Sequence, residues 1–424
     1  MNYVIVGGGI AGLGCAEGIR SVDGDGTITL ITEEMYPPYS RPGISYWLSG
    51  RLTDIGMPLR EEEYYDTLNV TVKTGARAGK IDAKKRVVVL EGGESIPYDK
   101  LLIATGGAPI FPPITGTDGT SDPDKRIFTF TTYRDAREIS ERRDAIKKAV
   151  IIGGGLIGLK AAEALNDIGV SVTVLELMDR VLSAAFDHTA GELVRKRLDG
   201  AGITVITGDT AEEVITDGVT VQRVKLRSGS EIETDAVVVA IGVRPAVELA
   251  ETAGLEVDRG VVVDEKLATS NTDIYAAGDA VSAYDIIAKE RRVTPILPNA
   301  YRQGKQAGRN MAGADENYEG GLSMNAIGFY GLDTISIGLV NPEEDRDVTI
   351  LKRLDEESET YRKLVLDRGR LLGVVLVGDV ARAGIFAGLI RDGVDVAGLE
   401  ERMLSPDFGH VHLDTDVRKE RLGR

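Results

Sequence analysis

The chain has very little of what thiol and metal chemistry need. It contains one cysteine, Cys15, and three histidines among 424 residues. One cysteine cannot form a disulfide within the chain, a redox-active cysteine pair, or the four thiolate ligands of an iron–sulfur cluster. His410 and His412 lie two residues apart without further ligands nearby and read as structural. We expect no resident metal, and the scarcity of cysteine favours a reducing cytoplasm.

Long apolar runs and an excess of positive charge are also missing. No run reaches the roughly 18 apolar residues of a transmembrane helix, and the first residues read as a strand and turn, unlike a signal peptide. The 50 Lys and Arg residues against 67 Asp and Glu give a formal net charge of −17. That sign repels nucleic acid and anionic lipid, so we expect neither as a partner and no membrane span.

Glycine is abundant, with 51 residues placed mostly after apolar runs. Residues 4–17 (VIVGGGIAGLGCAE) and 150–163 (VIIGGGLIGLKAAE) form a near-repeat. Each copy joins a β-branched apolar run to a glycine cluster and then to small and apolar residues at helical spacing. A second apolar run follows at 27–31 and at 170–175. The sequence therefore contains two βαβ units and predicts parallel sheets covered by helices.

Both copies carry the Gly-x-Gly-x-x-Gly pattern between a strand and a helix. In such a pattern the first glycine permits a tight turn, and the second lets a pyrophosphate approach the backbone. The third glycine allows close packing of helix on strand. The glycines are Gly7, Gly9 and Gly12 in the first copy and Gly153, Gly155 and Gly158 in the second.

Carboxylates follow the second strand of each copy. Glu33 and Glu34 are candidates to bind a ribose in the first copy. Glu176 lies 23 residues after Gly153, near the usual spacing of about 20 for a ribose-binding acid. A carboxylate there accepts bonds from a free 2′-hydroxyl and repels a 2′-phosphate, so we favour NADH over NADPH, although the nearby Arg180 weakens that preference.

Several motifs, in order, resemble the FAD-dependent pyridine nucleotide-disulfide oxidoreductase superfamily. The similar branch holds rubredoxin and ferredoxin reductases, the flavin domain of nitrite reductase, and apoptosis-inducing factor. The resemblance covers residues 2–340 and, more loosely, the rest. The motifs are PYSRP at 38–42, ATGG at 104–107, AGD at 277–279 and LPNA at 297–300.

The resemblance implies an α/β protein with two Rossmann-like domains. A split FAD-binding domain would cover 1–112 and 247–318, with an NAD(P)H-binding domain inserted at 113–246. A small C-terminal α+β domain would cover 319–424 and is a candidate homodimer interface.

The resemblance also assigns cofactor contacts. For FAD these are Gly7, Gly9, Gly12, Glu33, Glu34, Arg41, Ala78, Thr105, Gly106, Gly278, Asp279, Leu297 and Pro298. For NADH they are Gly153, Gly155, Gly158, Glu176 and Gly242, which ends the strand-like run 237–241.

Three departures from the family pattern stand out. The redox-active cysteines are absent, and Cys15 reads as a packed small hydrophobe. Relatives often have a lysine at Tyr46 and a glutamate at Lys160, both beside the flavin. These two changes are either neutral drift or functional. In the functional alternative, Lys160 lies near the flavin N5 atom and raises the reduction potential of the flavin, because a cation favours the anionic reduced form. Thr131 stands where relatives often have an FAD-contacting arginine.

These expectations combine into a function. NADH would pass a hydride to FAD, and electrons would leave for an external acceptor such as rubredoxin or ferredoxin. The alternatives are a flavin subunit feeding a nitrite-reductase-like partner, an NADH oxidase, and a non-enzymatic redox sensor resembling apoptosis-inducing factor. Lys289, Arg291 and Arg292 form a short basic cluster that is either a solvated loop or a docking point for an acidic carrier.

Overall fold

The computed structural model describes residues 1–422, with the backbone alone for 420–422. The last two residues of the predicted C-terminal domain, 423 and 424, lie outside the described residues. Within 1–422, no helix is long and apolar enough to cross a bilayer.

Eleven α-helices occur in the described chain. They are α1 (Ile10–Arg20), α2 (Gly43–Leu48), α3 (Glu62–Thr67), α4 (Tyr133–Arg142), α5 (Leu156–Asp167), α6 (His188–Gly200), α7 (Glu248–Thr252), α8 (Leu297–Met311), α9 (Ala383–Arg391), α10 (Glu400–Met403) and α11 (Thr415–Leu422). Short 3₁₀ turns cover Asp54–Gly56, Pro123–Lys125, Arg143–Ala145 and His410–His412.

The strands are short and alternate with these helices in much of the chain. They are β1 (Asn2–Val6), β2 (Thr27–Ile31), β3 (Val70–Lys73), β4 (Ala78–Asp82), β5 (Val87–Leu90), β6 (Ser95–Pro97), β7 (Lys100–Ile103), β8 (Gly107–Pro109), β9 (Ile127–Thr129), β10 (Lys148–Ile152), β11 (Ser171–Glu176), β12 (Thr204–Thr207), β13 (Ala211–Thr216), β14 (Val221–Leu226), β15 (Glu231–Glu233), β16 (Ala236–Val239), β17 (Val243–Pro245), β18 (Val261–Val262), β19 (Ile274–Ala276), β20 (Val281–Asp285), β21 (Glu290–Arg292), β22 (Met324–Phe329), β23 (Leu332–Gly338), β24 (Thr349–Asp355), β25 (Thr360–Asp367) and β26 (Arg370–Val377).

The chain divides into two compact units. The first comprises Met1–Phe111, Thr129–Glu141 and Gly242–Gly321. Its main sheet has the order β19-β7-β1-β2-β3 with parallel neighbours. Its central strands are buried apolar runs, as expected for a parallel sheet covered on both faces. Smaller sheets, β4-β5-β6, β8-β17 and β18-β20-β21, complete the unit.

The second unit comprises Pro112–Phe128, Arg142–Ile241 and Leu322–Arg424. It contains a second five-stranded sheet, β12-β11-β10-β16-β9, and the antiparallel sheet β13-β14-β15. A third, antiparallel sheet, β22-β23-β26-β25-β24, carries α9 on one face. The α/β class, with two Rossmann-like parallel sheets and a smaller C-terminal α+β part, is confirmed. The three proposed domain boundaries stay a prediction.

Part of the glycine excess serves helix packing in the first unit. A Cβ atom added at Gly304 or Gly308 of α8 would collide with the backbone oxygen of Ala11 or Cys15 on α1. Such close approach leaves room for small residues alone. Cys15 is fully buried there, with its sulfur 3.7 Å from that of Met311. Burial raises the pKa of this thiol, so it is held as an unreactive thiol.

Candidate cofactor-binding site

The first and third glycines of both fingerprints are required by the backbone. Gly7 has φ of 124° and Gly153 has φ of 113°, in the region that favours glycine. A Cβ atom at Gly12 would collide with the carbonyl oxygen of Gly7, and one at Gly158 with that of Gly153. The strand, the turn and the first helical turn are therefore packed in the same way in both copies.

The second glycine of each fingerprint faces open space. A Cβ atom at Gly9 or Gly155 would meet nothing within 4 Å. These two residues are the N-caps of α1 and α5, and neither helix start is capped by a side chain. Both helices therefore present free N–H groups and the positive end of the helix dipole beside an open backbone, which fits a pyrophosphate.

The carboxylate of Glu176 is held at the end of β11 in the second copy. It accepts hydrogen bonds from the backbone N–H groups of Gly154, at 2.7 Å, and Met178, at 2.8 Å. The Arg180 guanidinium lies 2.8 Å from the Asp179 carboxylate. Glu176 is therefore fixed next to the fingerprint, and the arginine that could attract a 2′-phosphate has an acidic partner.

The first copy places its acids differently. The strand register pairs Val6 with Ile31 as it pairs Ile152 with Leu175, so Thr32 is the positional counterpart of Glu176. Glu33 follows it, with 64% of its side chain exposed and a weak ion pair to Arg77 at 3.5 Å. Sequence reasoning missed Thr32 because the spacing from the glycines alone does not give the register.

Glu34 is the centre of a network that includes Arg41. Its carboxylate accepts hydrogen bonds from Arg41 Nη2, at 2.7 Å, and from the Tyr39 hydroxyl, at 2.6 Å. Arg41 Nη1 also donates to the carbonyl oxygen of Thr131, at 2.8 Å. Arg41 is thus fixed by charge-assisted bonds, and Thr131 contributes through its backbone at the position where relatives often have an arginine.

Thr105 and Gly106 fix the return of the chain to the first unit. The Thr105 hydroxyl donates to the carbonyl oxygen of Ala246 at 2.6 Å, and the N–H of Ala246 donates to the Gly106 carbonyl at 2.9 Å. Gly106 has φ of 72°. Ala78 is the half-buried first residue of β4. The contacts of Thr105 and Gly106 fix the backbone around the candidate FAD site.

Asp279 supplies a partly buried acceptor near Arg41. Gly278 has φ of 85°, and its N–H donates to the side-chain oxygen of Gln303 on α8 at 2.9 Å. Burial raises the pKa of the Asp279 carboxyl, and the charge of Arg41 offsets part of that rise. The carboxylate accepts no hydrogen bond from the described residues, which fits an acceptor for the hydroxyls of a ribityl chain.

The start of α8, like those of α1 and α5, has no side-chain cap. Ile296 is its N-cap and makes no side-chain cap bond. Leu297 is 41% exposed at this end, and Pro298 is exposed beside it. The helix dipole there would stabilise negative charge on a nearby group.

The two residues predicted beside the flavin belong to different units. Tyr46, on α2, is 39% exposed, and the Arg51 guanidinium lies over its ring at 5.9 Å. Lys160, on α5, forms an ion pair with the buried Glu163 and donates to the carbonyl oxygen of Gly328 at 3.1 Å. The i,i+3 spacing could have revealed this pair. The flavin-proximal role of Tyr46 and Lys160 stays a prediction.

Two other predictions concern Gly242 and the histidines. Gly242 has φ of 121°, and its carbonyl accepts a bond from the N–H of Ile110 at 3.0 Å; its contact with NADH stays a prediction. His410 and His412 lie in a short 3₁₀ turn, and the ring of His412 stacks on Phe408. Among the described residues, no group of three or more His, Cys, Asp or Glu could hold a metal ion.

The chain is similar in sequence to a known protein family and to several characterised proteins. Residues 1–304 match the pyridine nucleotide-disulphide oxidoreductase family, and residues 324–394 match the rubredoxin NAD+ reductase C-terminal domain. The chain is 31% identical to nitrite reductase [NAD(P)H] of Bacillus subtilis over 93% of its length, but spans only 48% of that relative. It is 30% identical to the NADH-dependent phenylglyoxylate dehydrogenase subunit epsilon of Aromatoleum evansii, covering 95% of this chain and 94% of the relative.

A solved structure shows the same fold over the whole chain. The putidaredoxin reductase in its covalent complex with putidaredoxin has a TM-score of 0.87 and 26% identity, covering 100% of this chain and 98% of that one. These matches confirm the predicted oxidoreductase class and the cofactors FAD and NADH. The chain belongs to the pyridine nucleotide-disulphide oxidoreductase family.

Proposed function

We propose that this protein is an NADH-dependent flavoprotein reductase that passes electrons to a small iron–sulfur carrier protein, rubredoxin or ferredoxin. The observation that carries the proposal is the pair of glycine fingerprints, which we call the two cradles. Each has open space at its second glycine, Gly9 or Gly155, and a helix start without a side-chain cap. Two cradles fit two dinucleotides. With a single buried cysteine, the chain offers no thiol pair to relay electrons.

Each residue then has a defined task. The backbones at Gly9 and Gly155 would hold one pyrophosphate each, and Glu176 would accept the ribose hydroxyls of NADH. Asp279 would accept a ribityl hydroxyl, and the α8 start would stabilise negative charge on the reduced cofactor. When bound, FAD supplies the link between a two-electron hydride donor and one-electron acceptors.

The overall reaction balances without a protein acid or base. One NADH reduces two one-electron carriers and yields NAD+, two reduced carriers and one proton. The chain contributes position, electrostatics and exclusion of water. Support for the carrier comes from the match of residues 324–394 to the rubredoxin NAD+ reductase C-terminal domain, and from the similarity to a reductase that binds putidaredoxin.

A second candidate is an electron-transfer subunit of a larger enzyme. It is favoured by similarity over 94% of a relative that is itself one subunit, and over about half of a nitrite reductase. The described residues hold no metal-binding cluster, so such an assembly would need its other chains for substrate chemistry. Cytoplasmic location, a homodimer and the predicted domain boundaries are further parts of the proposal.

The test is anaerobic turnover with purified carriers. NADH, the flavin-loaded protein and a rubredoxin or ferredoxin are mixed, and reduction is followed by the carrier's visible band. Many turnovers per enzyme support the proposal. Oxygen consumption without carrier reduction would favour an NADH oxidase. A flavin that NADH reduces but that passes electrons neither to the carrier nor to oxygen would favour the subunit or sensor alternatives.

A further inference from the structure

The β20–β21 hairpin of the first unit carries an exposed basic surface. Lys289, Arg291 and Arg292 are exposed, and Tyr284 is 42% exposed. In the antiparallel register Tyr284 lies opposite Arg291, so both side chains stand on the same face of the hairpin. Arg292 lies opposite Ala283 and projects from the other face, where it is exposed at the edge strand. We call Tyr284, Lys289, Arg291 and Arg292 the hairpin surface.

The three cations of the hairpin surface have no partner among the side chains and backbone that the structure describes. None of their side chains makes a hydrogen bond, an ion pair or a ring contact there. Most ordered cations of the first unit do have partners, for example Arg41 with Glu34 and Arg309 with Glu316. In a chain with a formal charge of −17, this is a local concentration of uncompensated positive charge, although Glu290 offsets one unit.

The turn of the hairpin is held by hydrogen bonds to Asp285. The buried carboxylate of Asp285 accepts hydrogen bonds from the N–H groups of Ile287 and Ala288, both at 2.9 Å, and from the Thr294 hydroxyl at 3.3 Å. The Lys289 N–H closes the turn by donating to the Asp285 carbonyl at 2.8 Å. The cations therefore project from a fixed frame, and little conformational entropy would be lost on docking.

Lys289 occupies a backbone position that favours glycine. Its φ is 57°, in the left-handed region where a side chain costs free energy. Nine other non-glycine residues of the described chain also have positive φ, among them Arg86, Arg126 and Arg368. The backbone at Lys289 therefore marks a position where glycine would be tolerated, which makes a glycine variant a usable test.

The hairpin surface lies close in sequence to the candidate flavin site. Arg292 is followed five residues later by Leu297, the first residue of α8, so their Cα atoms are at most about 18 Å apart. Leu297 is 41% exposed. A partner seated on the hairpin surface would therefore lie beside the helix start that is expected to face the flavin.

We infer that the hairpin surface docks the acidic face of a small iron–sulfur carrier protein, with Tyr284 as an apolar contact among the cations. Tyrosine and arginine are enriched in protein interfaces. Positive charge at this place also steers an acidic partner to the flavin end of a molecule that otherwise repels it. The inference rests on the proposed function, since it assigns the carrier of that function to a surface.

The test compares two charge reversals of equal size. Arg291→Glu/Arg292→Glu reverses the hairpin surface. The matched control, Lys80→Glu/Lys84→Glu, reverses two exposed lysines on and after β4 that also form no ion pair with the described residues. Both variants change the net charge by the same amount. The measurements are the dissociation constant for an acidic rubredoxin or ferredoxin at several salt concentrations, and flavin reduction by NADH without carrier.

The hairpin reversal is expected to raise the dissociation constant about tenfold at low salt, and less at high salt because ions screen exposed charges. The control is expected to change it less than twofold, and both variants should keep wild-type flavin reduction by NADH. Equal weakening by both variants, or none by the hairpin reversal, would overturn the docking surface alone. A wild-type protein that NADH reduces but that binds no carrier would overturn the carrier function and the surface together.

A second variant separates charge from folding. Lys289→Gly removes one cation and relaxes the backbone at φ 57°, so its melting temperature should equal or exceed that of the wild type. Docking through Lys289 predicts weaker carrier binding in this stable variant, by about threefold at low salt. Unchanged binding would remove Lys289 from the surface.

Discussion

The first and second fingerprints share a backbone and differ in the side chains placed on it. Gly12 and Gly158 meet the same carbonyl in each copy, and Gly9 and Gly155 face the same open space. At the strand end, however, the second copy has Glu176, bonded to two backbone N–H groups, where the first has Thr32. Glu176 is thus the candidate ribose acceptor of the second copy, and the first copy has no carboxylate at that position.

The first copy instead ties its acid into a network. Glu34 binds Arg41 and Tyr39, and Arg41 reaches the Thr131 carbonyl. In the proposed function the first copy holds FAD, which stays bound, and the second holds NADH, which exchanges in each turnover. The same glycine geometry can therefore serve a resident FAD and an exchanging NADH.

The first helices of the two copies, α1 and α5, also differ in the side chains they carry. Gly14 of α1 packs against the backbone of Tyr301 on α8, while the equivalent position of α5 is Lys160. The next acid in each copy, Glu17 or Glu163, is bound by the Tyr64 and Tyr301 hydroxyls in the first and by Lys160 in the second. Helix α1 of the first copy thus packs closely against α8, whereas α5 of the second copy carries the ion pair between Lys160 and Glu163.

The largest effect is expected from the third glycine of the second copy. Gly158→Ala places a Cβ atom on the carbonyl of Gly153, which we expect to destabilise the fold by about 3 kcal/mol and to abolish NADH binding. Gly155→Ala, whose Cβ meets nothing, should keep the wild-type melting temperature but weaken NADH binding at least tenfold. Thermal unfolding and NADH titration check both. Equal melting temperatures for the two variants would contradict the shared packing.

Breaking the buried ion pair of α5 comes next. Lys160→Met leaves the buried Glu163 carboxylate without its cation, so we expect a loss of about 3 kcal/mol in unfolding free energy. If Lys160 also lies near the flavin, its loss lowers the flavin potential by about 30 mV. Glu163→Gln should shift the potential the opposite way. A potential that neither variant moves would show that this pair has a purely structural role.

Arg41 is the residue with which to test the candidate FAD site. Arg41→Met removes charge-assisted bonds worth about 1.5–3 kcal/mol, and we expect the protein to retain FAD about tenfold less tightly. Flavin content after gel filtration measures this. Arg134→Met is the control, since that exposed arginine of the same unit pairs with Glu138 alone among the described residues at 2.9 Å. Loss of flavin from the control would point to general instability.

Glu176 is the residue with which to test the candidate NADH site. Glu176→Gln removes the negative charge from the strand end while keeping its shape, so NADH should bind about tenfold more weakly, by about 1.4 kcal/mol, and discrimination against NADPH should fall. Dissociation constants for NAD+ and NADP+ give the result. Asp179→Asn tests whether Arg180, once released from its partner, attracts the 2′-phosphate. Unchanged discrimination in Glu176→Gln would refute its role in cofactor choice.

The smallest effect concerns Asp279 in the flavin-free protein. Burial raises its pKa, so the folded state binds a proton more tightly than the unfolded state and the buried charge costs stability at neutral pH. Asp279→Asn should therefore melt slightly higher than the wild type at pH 7 without FAD. That gain should vanish below the ordinary carboxyl pKa, near 4. A gain that is independent of pH would rule out this electrostatic cause.

Much of the fold follows from local patterns in the sequence. The apolar run 27–31 is observed as the strand Thr27–Ile31, and the run 170–175 is observed as the strand Ser171–Glu176. The small sheets β4-β5-β6 and β13-β14-β15 were not predicted, because short half-exposed strands lack a strong apolar period. The partners of Glu34, Lys160 and Gly278 could not be predicted in full, because Tyr39, Gly328 and Gln303 reach them only through the tertiary fold.

The most direct test of the two-cradle account is an anaerobic titration of the purified protein with NADH, followed by the visible flavin band. We expect the protein to carry FAD, one NADH per flavin to bleach the band, and NADPH to act much more slowly. Gly155→Ala should retain FAD and lose the response to low NADH. A protein without flavin, or a Gly155→Ala variant that responds to NADH as the wild type does, would contradict the assignment of one dinucleotide to each fingerprint.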